Sequence, residues 1–157
     1  MKKSIRWELH LDSYDIDIFF HQTKTELLKL INKASIPTKK IGAENLLITS
    51  KLFLLDIDFR IFIKFDGEKM VYIIIHPDTE VNIKTLYSQY RYIQLALEKK
   101  YGYYHNIFQR LINYLDPINC YSCWAFDNIR VEHYIIERFG IEEAIKFIML
   151  NEQKGNL

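Results

Sequence analysis

A chain of 157 residues, 49% hydrophobic and 26% charged, has the size and balance of one folded domain, and its net charge of +1 gives no field to steer nucleic acid or an anionic membrane. Two cysteines are too few for a disulfide scaffold. With no run of about 18 apolar residues to span a bilayer, and with Arg6, Glu8, His10 and Asp12 interrupting any signal-peptide core after Met1-Lys2-Lys3-Ser4, the expected location is the cytosol.

Ile5, Trp7, Leu9 and Leu11 alternate within Ser4–Leu11, the period of a half-buried strand. Asp12-Ser13-Tyr14-Asp15 reads as a turn, and Ile16–Phe20 as a short strand or an inward-tucked loop. Thr23 and Glu26 have capping-box spacing, so a helix is predicted from about Lys24 to Ala34, with Leu27, Leu28, Leu30 and Ile31 at helical intervals. Pro37 blocks its continuation. Thr38–Asn45 is polar, contains Gly42, and reads as a loop or a sheet edge. Leu46–Thr49 and Leu52–Leu55 suit two short strands or one bent strand.

The strongest local signal is Asp56–Pro77, read as a β-hairpin. Ile57, Phe59, Ile61, Ile63 and Phe65 fall at every second position, which places them on one face of a strand. Asp66-Gly67 reverses the chain, and Met70–Ile75 returns as a nearly all-apolar strand until Pro77.

Asp78–Lys84 is polar. Thr85–Tyr101 predicts the longest helix, striped by Leu86, Tyr90, Ile93, Leu97 and Tyr101, with Gly102 as its C-cap after Lys99 and Lys100. Ile107, Phe108, Leu111, Ile112 and Leu115 predict a short third helix, capped by Asn106 and ended by Asp116-Pro117. Cys120–Phe126 reads as extended, Asp127-Asn128 as a turn, and Ile129–Phe139 as weakly alternating up to Gly140. Ile141–Leu150 fits a helix or a strand; a last strand closing the meander is preferred. The tail from Asn151 to Leu157 is polar. The expected fold is α+β: an antiparallel sheet of two meanders with two to three helices packed on one side, in one domain spanning residues 1–157.

Cys120-Tyr121-Ser122-Cys123 is the sharpest chemical motif. Two thiols at this spacing suit zinc or a redox pair, and His105 and His133 would complete four ligands. In a regular strand, however, residues three apart point to opposite faces and cannot share a metal; a turn at Tyr121-Ser122 would restore the site, and the plainer account is two ordinary buried cysteines. Asp56 and Asp58 offer a second arrangement, a Mg²⁺ or Mn²⁺ pair helped by Asp66 or Glu68. The plainer account is the solvated face of a strand, with Asp58, Arg60 and Lys64 in weak ion pairs. Glu132 and His133, near Arg130, Glu137 and Arg138, have the composition of an acid–base cluster, but no nucleophile signature accompanies them. The 5 glycines never gather into a phosphate loop. Tyr87, Tyr92, Tyr103 and Tyr104 are left over from the helical stripe. Interleaved with Arg91, Lys99 and Lys100, they suit stacking on single-stranded bases or an interface hot spot; the near-neutral charge favours the interface.

The stretch Cys123-Trp124-Ala125-Phe126-Asp127-Asn128-Ile129, followed by His133-Tyr134 and Glu137-Arg138-Phe139-Gly140-Ile141-Glu142-Glu143, resembles a pattern in small bacterial proteins of unknown function. Some of those sit beside polymorphic toxins and resemble immunity proteins. The resemblance covers the last third of the chain and implies a cytosolic binding protein, with no catalytic residue carried over. The expected function is therefore non-enzymatic protein binding, with a toxin or a second copy of the chain as partner and no cofactor. The alternative is a metal-dependent enzyme or zinc-binding protein using Cys120/Cys123 or Asp56/Asp58.

Overall fold

The computed structural model describes residues 7–79, 83–103, 107–116, 120–137 and 141–150. Expectations that concern Ser4–Arg6, Glu80, Tyr104, His105, Asn106, Pro117, Gly140 and residues 151–157 lie outside them.

The chain opens with a two-stranded antiparallel ribbon, β1 (Glu8–Leu11) and β2 (Ile16–Phe19), which turns Leu9, Leu11 and Ile18 inward. Helix α1 (Lys24–Lys33) follows. Four strands then form the first meander: β3 (Thr38–Ile41), β4 (Asn45–Lys51), β5 (Asp58–Asp66) and β6 (Lys69–Pro77). Helices α2 (Ile83–Tyr101) and α3 (Ile107–Leu115) separate it from a second meander, β7 (Tyr121–Ala125), β8 (Ile129–Glu137) and β9 (Ile141–Met149). The meanders fuse into one antiparallel seven-stranded sheet of order β3-β4-β5-β6-β9-β8-β7. The α+β class with antiparallel sheets read from the sequence is the class observed.

The fusion runs through β9, with Tyr72 opposite Ile148 and Ile75 opposite Ile145. The ambiguous Ile141–Leu150 stretch is thus a strand, but an interior one. Glu143, Ile145 and Phe147 are buried on its core face, while Glu142, Lys146 and Ile148 lie on the other; the small Ala144 is buried there as well, which blurs the alternation.

One face of the sheet carries the core: Phe59, Ile61 and Ile63 of β5, Ile73 and Ile75 of β6, Ile145 and Phe147 of β9, Val131 of β8 and Trp124 of β7. Leu27 and Ile31 of α1, Ile93 and Leu97 of α2, and the ribbon residues pack into the same cluster.

The capping box at α1 is complete. Glu26 N–H donates to Thr23 Oγ1 at 3.2 Å, and Thr23 N–H donates to Glu26 Oε2 at 2.9 Å. Glu68, from the β5–β6 turn, accepts from Thr25 N–H at 2.9 Å. Bonds from Thr23 and Thr25 hold the two carboxyls below the ordinary glutamate range. A lowered folded pKa adds stability that is present above the unfolded value and lost as pH falls through the folded one. The stability deficit of a Glu26→Gln/Glu68→Gln variant against wild type should therefore be full near neutrality and shrink on acidification. Urea unfolding at a series of pH values reads this; a deficit constant into the acid range would contradict it.

Three expectations need correction. The hairpin's first strand begins at Asp58, not Asp56. Its reversal is the pair Gly67-Glu68, because Asp66 still pairs with Lys69; Gly67 has φ +59°, which suits the first central position of a tight hairpin turn. Leu52–Leu55 is no strand at all. Phe53 and Leu54 have φ of +60° and +59°, a left-handed conformation costly for bulky residues, and Leu54 N–H donates to Asp12 Oδ2 at 2.7 Å.

Candidate protein interface

Helix α3 is amphipathic in the reverse sense to a core helix. Phe108, Leu111, Ile112 and Leu115 share one side by i, i+3, i+4, i+7 spacing, and a stripe of that kind ordinarily packs inward. Here it faces out: Phe108 is 80% exposed, Leu115 70%, Leu111 55% and Ile112 50%. Tyr114, also exposed, meets Tyr87 of α2 edge to face, with ring centroids 6.2 Å apart.

The inward side carries amides because the edge of β7 needs polar partners. Asn113 Nδ2 donates to Tyr121 O at 2.9 Å, while Tyr121 N–H donates to Asn113 Oδ1 at 3.0 Å. One side chain thus imitates a paired strand residue. Gln109 Nε2, one turn earlier, donates to the same Asn113 oxygen at 2.9 Å. Both backbone groups of Tyr121 are thereby bonded, and this contact turns the amide side of α3 to β7 and leaves the apolar stripe outward.

The opposite face of the sheet is a weaker candidate, because its charges answer one another. Arg60 pairs with Asp78 at 3.2 Å and Arg130 with Glu132 at 3.0 Å. The ammonium groups of Lys64 and Lys146 lie 6.0 and 5.2 Å from the Tyr72 ring centre.

His133 is separated from Arg130 and Glu132 by the strand's alternation; they point to the open face and it points into the core. Its Nδ1 lies 2.7 Å from Gln94 Oε1 and its Nε2 2.7 Å from Glu143 Oε1. Gln94 Nε2 donates to Glu98 at 3.2 Å, which fixes the amide with its oxygen toward the imidazole. Both ring nitrogens therefore have an oxygen partner, one on α2 and one on β9. Gln89 Nε2 donates to the other Glu143 oxygen at 2.8 Å. The Tyr90 ring stacks on His133 at 4.0 Å, and its hydroxyl shares a 2.9 Å bond with Ser122 Oγ. His133, Glu143, Ser122 and Tyr90 are all buried. The set ties α2 to three strands, as a fully satisfied core network does. Sequence reasoning missed Gln94 and Glu143. The available signal was Gln94 and Glu98, polar residues one turn apart on a helix stripe beside Leu97.

The cysteines behave as a strand requires. Cys120 is buried, its thiol donates to Asn113 O at 3.3 Å, and burial with the Asp116 and Glu143 charges nearby pushes its pKa up to about 12. Cys123 pairs opposite Glu132, on the face away from His133. Asp56 pairs with Lys51 in the loop before β5, and Asp58 opens the strand itself. Among the described residues no group of three or more His, Cys, Asp or Glu is placed to hold a metal ion.

The tyrosines do not form one patch. Tyr87 and Tyr92 are five residues apart on α2, which sets them about 140° apart around the axis. Tyr87 borders α3. Tyr92 lines a separate recess of about 660 Å³ with His10, Phe53, Leu54 and Lys100, where Leu54 is 86% exposed. Burial pulls the Lys100 pKa down there, and its ammonium donates to Glu8 O at 3.3 Å. Tyr103 is exposed just after Gly102. Among the described residues no helix is long and apolar enough to cross a membrane.

No family model matches the chain, and neither a curated protein nor a solved structure matches it.

Proposed function

We propose that the chain is a non-enzymatic protein-binding module of the cytosol and that α3 is its contact surface. One observation carries the reading: four large apolar side chains of a nine-residue helix face outward while its amides face inward. Contiguous apolar surface of this kind is characteristic of interaction sites, and Tyr87 and Tyr114 beside it are the residue type that anchors hot spots. The partner is a toxin, in keeping with the likeness of Cys123–Glu143 to immunity-type proteins, or a second copy of the chain. Of the titratable groups that converge, His133 and Glu143 are buried in hydrogen bonds to the core, and His10 is held at the surface by Asp17 at 2.7 Å, with Asp12 and Asp15 beside it.

Co-expression with the product of the adjacent gene tests the reading. A complex, with that product or between copies of the chain, is expected of the wild type and not of Leu111→Glu/Ile112→Glu, while the variant keeps a cooperative unfolding transition. A complex indifferent to both substitutions would move the surface away from α3.

A further inference from the structure

We propose that the occupant of the α3 surface is a second copy of this chain, joined about a two-fold axis through α3 and the adjacent β7 edge. This rests on α3 being a protein-binding surface. The two edges of the sheet are guarded differently. At one edge β3 is wholly exposed and carries Lys39 and Lys40, the kind of charge that discourages strand addition. At the other edge β7, Tyr-Ser-Cys-Trp-Ala, carries no charge at all.

The hydrogen-bond phase of β7 shows what it presents. Ile135 N–H donates to Cys120 O at 3.0 Å, and Phe126 N–H donates to Ile129 O at 2.9 Å. Even-numbered residues therefore bond inward to β8, and Tyr121, Cys123 and Ala125 turn their backbone groups outward. Asn113 satisfies Tyr121. The backbone groups of Cys123 and Ala125 have no partner among the described residues.

The α3 stripe lies beside this open edge, because Asn113 binds it. Phe108, Leu111, Ile112, Tyr114 and Leu115 together expose on the order of 600 Å². With Tyr121 and the strand edge added, the surface approaches the roughly 800 Å² per partner of a standard interface. The stripe bears no charge that a copy of itself would repel. A two-fold makes the two β7 strands antiparallel, as edge pairing in this sheet requires, and brings both stripes into the one interface, each from the Tyr121 end of its own strand. A second copy thus satisfies helix and edge together.

Sedimentation of the full chain across a wide concentration range, with anilinonaphthalene sulfonate as an apolar probe, tests this. The wild type is expected at twice the mass of one chain. Leu111→Glu/Ile112→Glu is expected at the mass of one chain, with an unchanged circular dichroism spectrum. Ala125→Lys, which charges the edge and leaves the stripe intact, is expected to weaken association about tenfold or more. A dimer that survives both changes overturns the proposal. So does a wild type at the mass of one chain at every concentration. In that second case, dye bound by the wild type and lost in the stripe variant leaves α3 as a binding surface for another protein. Dye bound by neither removes that reading too.

Discussion

Replacing Glu143 with alanine is expected to cost about 3–5 kcal/mol of unfolding free energy. Its carboxylate is buried and answers two donors, His133 Nε2 at 2.7 Å and Gln89 Nε2 at 2.8 Å. Without it, His133 Nε2 and Gln89 Nε2 both lose their partner in the core, and buried polar groups left unpaired cost far more than the pair did. In a chain of this length the thermal midpoint should fall by roughly 10 °C. Substituting both partners, His133→Leu with Glu143→Leu, should cost less than the sum of the single leucine changes by at least about 1 kcal/mol, because neither side chain is then left without the other. Urea unfolding of the four proteins gives the cycle. Additive losses would mean that the two residues do not interact in the folded chain.

Phe147→Ala should cost a similar amount, about 3–5 kcal/mol, for an apolar reason. Phe147 is fully buried on β9, opposite Ile73 on one side and Val131 on the other. Its ring meets Phe20 at 5.2 Å and Tyr101 at 6.1 Å. Truncation opens a cavity where ribbon, helix and both meanders converge, and no single neighbour can fill it. Differential scanning calorimetry reads the loss; a drop below about 1 kcal/mol would show that the site collapses around the alanine.

Much of this architecture was legible because its signals are local. The capping box at Thr23 and Glu26, the period of two from Phe59 to Phe65, and the Gly102 stop each depend on residues a few positions apart. What escaped depends on partners distant in sequence. Nothing near Phe53 and Leu54 announces left-handed backbone, because the bond that holds Leu54 N–H comes from Asp12. The orientation of α3 was hidden for the same reason. Periodicity locates an apolar stripe but not its direction, and Asn113 sets that direction by binding Tyr121. At the polar core, His133 was noticed among the wrong neighbours. Its partners are Gln94, one helix away, and Glu143, one strand across.

The position of β9 also bears on how the molecule is made. On a ribosome the first four strands of the large sheet emerge long before the strand that covers the flank of β6, which follows roughly seventy residues later. Until then Tyr72–Ile75 offers bare amide and carbonyl groups and an apolar surface to any other nascent chain. Folding should accordingly be slow and finish in one late step, and translation halted before Ile141 should yield aggregate rather than half a protein.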